Sequence, residues 1–247
     1  MKVLKTIFKL LLLVALSVYL GFTFFHLSKR KDSGVCTTVK LAIEDSLRAG
    51  FISEKEAVQM LKTANLYPLG AMMDTINSAK IEEHLEKSPY IKDVVCYKSP
   101  SGRVNIIVNQ RVPIMRVIAS NGENYYIDES GFTMAPGKYI ADQIIATGNI
   151  AKQFSQKFLL KIGQQIKENK FWENQIEQIN ITEDKKVEMI PRVGNQLIYL
   201  GSPINVDKKL DNLETFYKKV MPTVGWNKYS KINLEFENQI ICTKNKK

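Results

Sequence analysis

The 247-residue chain has only two histidines and three cysteines, and these small numbers exclude several classes of protein. Cys36, Cys96 and Cys242 are too few and too widely spaced for a disulfide framework. We expect Cys96 and Cys242 to be small buried side chains, and Cys36 to be free. His26 and His84 are far apart and bring no soft ligands with them. The sequence therefore predicts no metal site and no cofactor.

Motifs that carry enzyme chemistry are also scarce. No Lys-Thr-Gly accompanies a Ser-x-x-Lys nucleophile, as acyl transfer on peptidoglycan requires, and no glycine-rich phosphate loop is present. Glycoside hydrolysis needs two carboxylates across a cleft, whereas Asp128 and Glu129 are adjacent and Asp128 is explained by turn chemistry. We therefore predict that the protein is not an enzyme and has no catalytic residues.

Positive charge is concentrated at the two ends of the chain. The formal net charge is +10, but residues 1–31 hold six basic residues without an acid, and residues 244–247 hold three lysines. The body between them carries a net charge of about +1. Nucleic-acid binding needs basic residues spread over a folded face, so we predict no nucleic-acid partner.

A long hydrophobic run at residues 7–27 is interrupted only near its ends, by Lys9 and His26. As a helix it would span about 30 Å, enough to cross a bilayer. The alternative is a cleaved signal peptide, but the bulky, basic stretch that follows lacks the small residues that a signal peptidase needs. We predict a cytoplasmic tail at 1–9, a transmembrane helix at 10–28 and a linker at 29–36. Basic residues flank both ends of the run, so charge bias alone does not decide the orientation. Because signal-anchor helices usually keep a short basic N-terminus inside, we predict that the bulk of the chain lies outside the cytoplasm.

The next region, to about residue 112, has the pattern of a compact α+β unit. Ser53 and Glu56 form a capping box at the start of a helix. Strands are expected at 37–43, 91–97 and 104–109, and helices at 53–65 and 77–87. The order strand, helix, helix, strand, strand gives one sheet covered on one face by two helices, with the edge of the first strand open.

From residue 113 onward the pattern is richer in strands. They are expected at 114–119, 125–128, 144–148, 176–181, 187–191, 196–200 and 231–236, and two helices at about 151–169 and 205–221. Pro222 is expected to end the second helix. The last strand alternates Ile232, Leu234 and Phe236 with polar residues.

Several short motifs occur in a fixed order along these two regions. They are Ile91-Lys92-Asp93-Val94, a strand closing with Arg111-Val112-Pro113, the turn from Tyr126 to Gly131, the strand from Leu197 to Gly201, the helix around Leu210 to Tyr217, and Ile232-Asn233-Leu234. This ordered set resembles the FtsQ/DivIB family of cell-division proteins over nearly the whole chain. The resemblance implies an α+β fold with one N-terminal transmembrane helix, a βααββ POTRA domain at 37–112, a mixed β domain with two helices at 113–243, and a basic tail at 244–247.

The resemblance also implies a function. Members of this family are non-catalytic scaffolds of the divisome, anchored in the inner membrane with their bulk in the periplasm, at the division septum. They link early and late division proteins and help to control septal peptidoglycan synthesis. Their last strand and helix bind a partner pair of the FtsB and FtsL type, and the POTRA domain meets other division proteins.

The final predicted strand is the candidate binding site, with Tyr229, Lys231, Glu235, Phe236 and Asn238 as partner-binding residues. An edge strand offers unpaired backbone groups to a partner strand, and its side chains set the register. From the residues alone, the apolar side chains could equally be core with a solvated outer face; the resemblance favours binding. We expect Phe236→Ala or Glu235→Lys to weaken partner capture and leave folding intact.

Three positions depart from the family pattern and bear on the partner. Asn233 stands where the family has Asp, and Glu235 and Phe236 occupy positions that usually carry Arg and Tyr. A charge reversal at Glu235 would require a matching change on the partner. Two other functions remain as alternatives, a POTRA-containing envelope transport or assembly factor and a membrane-anchored wall hydrolase. The chain lacks the series of ten-residue alternating strands of a barrel, which disfavours the first.

Overall fold

A computed structural model of the chain describes residues 2–28, 34–44, 50–137, 143–236 and 238–245. Within the first helix, side chains are described at Lys9 and from Leu11 to Thr23. The predicted linker between residues 29 and 33, and the last two residues of the basic tail, lie outside this described part. The chain divides into two compact units, one of Met1–Glu44 and Ser53–Asn109, the other of Asp45–Ile52 and Gln110–Lys247.

Helix α1 runs from Lys2 to Ser28. Its large apolar side chains are exposed wherever they are described, for example Leu13 at 68% and Phe22 at 65%. Among the side chains described, no helix is both long and apolar enough to cross a bilayer. The transmembrane span at 10–28 therefore stays a prediction.

The first unit contains, after α1, the strands β1 (Thr38–Glu44), β2 (Ile91–Ser99) and β3 (Arg103–Gln110) and the helices α2 (Glu54–Thr63) and α3 (Ser78–Glu86). Helix α2 begins with the predicted capping box, in which Ser53 Oγ accepts from the Glu56 N–H and the Glu56 carboxylate accepts from the Ser53 N–H. Asn77 caps α3 in the same way, accepting from the Lys80 N–H at 3.1 Å.

The three strands form one sheet in the order β1-β3-β2, with β1 parallel to β3. Alternate residues of β3 are buried, and Val104 and Ile106 are fully enclosed together with Leu61 of α2 and Leu85 of α3. Helix α3 packs against β2 and α2 against β1. The predicted βααββ order is confirmed, and within the described residues β1 pairs with β3 on one side and with no strand on the other. All three cysteines are free, with Cys36 and Cys96 buried and Cys242 partly buried.

The second unit is built on a nine-stranded mixed sheet. Its strands are β4 (Pro113–Ala119), β5 (Asn124–Asp128), β6 (Thr133–Met134), β7 (Ile144–Gly148), β8 (Ile176–Ile181), β9 (Val187–Pro191), β10 (Leu197–Gly201), β11 (Tyr229–Asn233) and β12 (Ile241–Lys244). They lie in the order β12-β11-β10-β9-β8-β7-β4-β5-β6. Strands β7, β8 and β9 have the predicted bounds, whereas the short β6 and β12 were not predicted.

The helical part of the second unit differs from the two predicted helices. The first is divided into α4 (Lys152–Phe154), a π-helical turn (Ser155–Leu159) and α5 (Leu160–Glu168), and α6 (Lys170–Gln175) follows at once. Ser155 is buried at the start of the π turn, where its hydroxyl donates to the Lys152 carbonyl and accepts from the Tyr125 hydroxyl. Polar insertions of this kind accompany irregular helical turns.

Helix α7 (Val206–Lys219) is close to prediction, but Pro222 does not end the helical region. It lies in the first turn of a short further helix, α8 (Met221–Val224). A first-turn residue has no intrahelical partner for its N–H, so proline is tolerated there.

Helices and sheet of the second unit share one core, centred on aromatic rings. Trp172 of α6 and Tyr217 of α7 are almost fully enclosed, with ring centroids 5.7 Å apart. Trp226 meets the edge of Tyr217 at 5.3 Å. The strands contribute alternate residues to this core, such as Ile198 and Leu200 of β10. The same alternation leaves the other residues of β10 on the opposite face of the sheet.

Candidate partner-binding edge

The predicted binding strand is β11, and it is not the edge of the sheet. It ends at Asn233 instead of Phe236, and β12 pairs with it antiparallel on the side away from β10. The expectation that residues 231–236 form the free edge is therefore wrong. In the described part of the chain the two strands at the ends of this sheet are β12 and the two-residue β6, so the open edge next to β11 is that of β12.

Strand β11 ends at Asn233 because a hydrogen bond between residues close in sequence competes with the hydrogen bonds between strands. The Asn233 side-chain oxygen accepts from the Glu235 N–H at 2.8 Å, which turns the backbone. Asn238 then adopts a left-handed conformation with φ 63°, which asparagine tolerates better than most residues. Asn238 therefore lies in the reversal that brings β12 back beside β11.

Glu235 is held within the second unit. One carboxylate oxygen lies 2.9 Å from Lys186 Nζ, and the other accepts from the Ser202 N–H at 3.0 Å. Burial opposes ionisation of this carboxyl, but the Lys186 ammonium and the Ser202 N–H outweigh it and hold the pKa of Glu235 below its ordinary value. The carboxylate occupies space left open by Gly201, where an added Cβ would lie 1.5 Å from it.

This placement changes the expectation for Glu235→Lys. A lysine there would meet Lys186 and would leave the Ser202 N–H without its acceptor. The substitution would therefore disturb the fold around Gly201, contrary to the expectation that folding stays intact.

The other predicted residues surround the edge in different ways. Lys231 places its ammonium 4.1 Å from the centroid of the Tyr199 ring, on the sheet face opposite the helices. Tyr229 packs against Phe216 at 6.1 Å and lies opposite Lys244 in the β11–β12 register. Phe236 is 50% exposed and has no such anchoring role. Tyr229 and Lys231 are therefore held by contacts with Phe216 and Tyr199 of the second unit, whereas half of the Phe236 side chain is exposed to solvent.

Residues of β12 were missed by sequence reasoning. Ile241 is 45% exposed and lies opposite Asn233, while Thr243, opposite Lys231, is also exposed. A usable signal was present, because β-branched Ile240, Ile241 and Thr243 follow the turn-forming Asn238.

A small cavity of about 20 Å³ lies between α7 and the reversal that leads from β11 to β12. Its lining is Asn205, Lys208, Lys209, Asn212, Leu234, Phe236, Gln239 and Ile240. Lys209 is engaged within the unit, donating to the carbonyls of Leu200 and Ser202. Lys228 and Lys244 are exposed at the end of the β11–β12 pair. Apolar and basic groups thus border the open strand together.

The motif from Arg111 to Gly131 has a structural role. Asp128 accepts from Arg111 Nη1 at 2.8 Å and from the backbone N–H groups of Ser130 and Phe132 at 2.9 Å each. The Arg111 guanidinium stacks 3.9 Å from the centroid of the Phe132 ring. The predicted turn chemistry of Asp128 is confirmed, and the neighbouring Glu129 pairs with Lys167 at 3.1 Å.

The first unit also presents sheet edges. On β2, the N–H groups of Val94 and Cys96 donate to the carboxylates of Glu86 and Glu82 on α3. These carboxylates occupy backbone donors that a partner strand would otherwise use. Within the described residues, β1 is therefore the more accessible edge of this sheet. His84 lies on α3 as expected, and no group of three or more His, Cys, Asp or Glu side chains among the described residues could hold a metal ion.

Two family models match the chain. The family described as FtsQ/DivIB, C-terminal related, matches residues 112–243, which is more than half of the chain. A POTRA-like domain matches residues 34–109. No curated protein matches the chain. The two matches follow the two units of the structure closely.

Proposed function

The chain belongs to the FtsQ/DivIB family, and from that membership we propose that it is a non-catalytic, membrane-anchored scaffold of the cell-division machinery. In this proposal it links early and late division proteins at the septum and helps to control septal peptidoglycan synthesis through protein contacts. The family match over residues 112–243 favours this function over envelope transport, because the POTRA-like match alone would fit either.

The proposed anchor is α1 in the inner membrane, with the rest of both units in the periplasm. The apolar side chains described between Leu11 and Phe22 contribute little to any core and are more than half exposed, as an unpartnered membrane segment requires. Lys2 and Lys5 precede them and suit a cytoplasmic N-terminus.

The proposed site for a partner pair of the FtsB and FtsL type is the free edge of β12. A partner strand beside β12 would extend the sheet to ten strands and satisfy its outer backbone groups. Phe236 and Ile241 offer apolar contacts, while Lys228 and Lys244 favour acidic residues on the partner. Other division proteins would use the first unit, where the edge of β1 is accessible. The single observation that carries the site is the open edge of β12 beside exposed Phe236.

The site is tested by removing the two exposed apolar side chains together. Phe236→Ala with Ile241→Ala, in the full chain, is expected to weaken binding of the purified partner pair by at least about tenfold, because buried aromatic and aliphatic anchors dominate such interfaces. Binding is measured by bio-layer interferometry with the chain in detergent micelles.

Val193→Ala is the matched control, because Val193 is 47% exposed in the same unit but lies in the loop between β9 and β10. It is expected to bind normally. Unchanged partner binding by the double variant, with the near-ultraviolet circular dichroism of the native chain, would remove the β12 edge as the site.

A further inference from the structure

The chain enters the first unit through a short backbone ribbon. Gly34 and Cys36 pair with the loop before α3: the Met73 N–H donates to the Gly34 carbonyl at 2.8 Å, and the Cys36 N–H to the Ala71 carbonyl at 2.8 Å. A third bond joins the Gly70 N–H to the Cys36 carbonyl at 2.9 Å. These bonds fix the first described residues after α1 on the surface of the unit.

Three large apolar side chains are exposed on this ribbon and loop. Val35 is 50% exposed, Met72 is 61% exposed and Leu69 is 53% exposed. Val35 and Met72 are partners in an antiparallel bridge, so their side chains are neighbours on one side of the ribbon. We name Val35, Leu69 and Met72 the ribbon patch. Val35 and Met72 are paired across one bridge, and Leu69 lies three positions before Met72 in the same loop, whereas exposed apolar residues that stand singly are common on protein surfaces.

The length of chain between α1 and the patch limits what can cover it. Helix α1 ends at Ser28 and the ribbon begins at Gly34, six residues later. A fully extended chain of that length spans at most about 20 Å. The polar headgroup layer of a bilayer is itself about 5–8 Å thick on each side. The patch is therefore tethered within a short distance of any membrane that holds α1.

The basic charge between α1 and the ribbon also favours a membrane surface next to the patch. Lys29, Arg30 and Lys31 stand between α1 and the ribbon. Basic residues next to a membrane helix are attracted to anionic lipid headgroups and draw the adjoining chain toward the surface. A tether this short also gives a high effective concentration of membrane at the patch, so weak apolar contacts suffice for association.

We propose that the ribbon patch inserts into the headgroup region of the bilayer and sets the orientation of the first unit against the membrane. The proposal rests on the membrane anchor proposed above. Val, Leu and Met side chains are stabilised by partial removal from water at such an interface. The ligand is thus a lipid surface.

The test uses the full chain reconstituted in vesicles of phosphatidylethanolamine and phosphatidylglycerol, with lipids brominated near the headgroup as quenchers. Met72→Trp places a fluorophore in the patch. The signal of the native Trp172 and Trp226 is subtracted with the unsubstituted chain in the same vesicles. Met72→Trp fluorescence is expected to be quenched at least about twice as strongly as that of a surface tryptophan elsewhere in the unit. Leu69→Trp repeats the measurement should the first variant fold poorly.

Tyr97→Trp is the control, because Tyr97 is 49% exposed on β2 of the same unit and conserves an aromatic ring. Extraction of the vesicles at alkaline pH separates the two proposals. If the chain resists extraction but the patch variants are quenched no more than Tyr97→Trp, the patch does not contact lipid and the anchor stands. If extraction releases the chain, the anchor fails and the patch proposal fails with it.

Discussion

Gly201→Ala tests how the segment after β11 is held against the second unit. Gly201 has φ +72°, and an added Cβ would lie 1.5 Å from a Glu235 carboxylate oxygen and 2.5 Å from the Glu235 carboxyl carbon. The left-handed backbone alone costs an alanine about 1–2 kcal/mol. Displacing Glu235 removes the acceptor of the Ser202 N–H, a further loss of about 1 kcal/mol. We expect the free energy of unfolding to fall by about 2–3 kcal/mol.

The clash and the backbone strain can be separated. Gly122 has φ +90° in the same unit, and its added Cβ would meet nothing within 4 Å. Gly122→Ala therefore reports backbone strain alone and is expected to lose about 1–2 kcal/mol. Glu235→Ala combined with Gly201→Ala removes the clashing carboxylate, so the double variant should lose less than the sum of the two single changes by about 1 kcal/mol.

Urea unfolding of the full chain in micelles, followed by the fluorescence of Trp172 and Trp226, measures these differences within the second unit. Equal losses for Gly201→Ala and Gly122→Ala would show that Glu235 moves aside freely. Strict additivity in the double variant would refute the contact between Gly201 and Glu235 as the source of the loss.

Two further predictions concern ionisable groups of the second unit. Asp128→Asn should lower the free energy of unfolding by about 2–4 kcal/mol at neutral pH, because Arg111 loses its buried partner. Burial works against the charged form of Asp128, but Ser130, Arg111 and the Phe132 N–H hold its pKa below the ordinary 3.8. Its stabilisation is therefore complete above about pH 4 and is lost as the pH falls through the lowered value, so urea curves of the two chains should converge in acid; a constant difference would contradict this. Burial raises the pKa of Tyr217 to about 12 despite the hydrogen bond from Gln196. The neutral phenol should stabilise the unit fully below about pH 10 and lose this effect as the pH rises through about 12. In an absorbance titration, Tyr217→Phe should remove a tyrosine that ionises with the raised pKa. If the tyrosine lost by this substitution instead ionises near pH 10, the phenol of Tyr217 is not buried.

Local patterns predicted much of the two units. Ser53 and Glu56 are three residues apart, and their reciprocal hydrogen bonds need nothing beyond the first turn of α2. Asp128 likewise bonds to residues two and four positions ahead. Strand β8 was predicted to the residue, because Ile179 and Ile181 are buried and alternate with the polar residues Gln178 and Asn180.

The candidate site stays a prediction, but the structure changes its arrangement. Phe236 lies in the segment after β11, and the strand at the edge of the sheet follows it, at Ile241–Lys244. Four residues give too short an alternation to distinguish a strand from a loop. Glu235 was predicted to bind the partner because the sequence shows its charge but does not show that Lys186, 49 positions away, pairs with it.

From its order of residues alone, this protein has a hydrophobic N-terminal run, a βααββ unit and a strand-rich unit. Each of these follows from periodicity, capping and turn chemistry, which act over a few neighbouring residues. Tertiary structure decided which strand is left open, which charge is consumed inside the fold and which apolar side chains face outward. Those outcomes depend on pairing between residues far apart in the chain. Whether a backbone group or side chain stays exposed is decided only when every segment that could pair with it has folded.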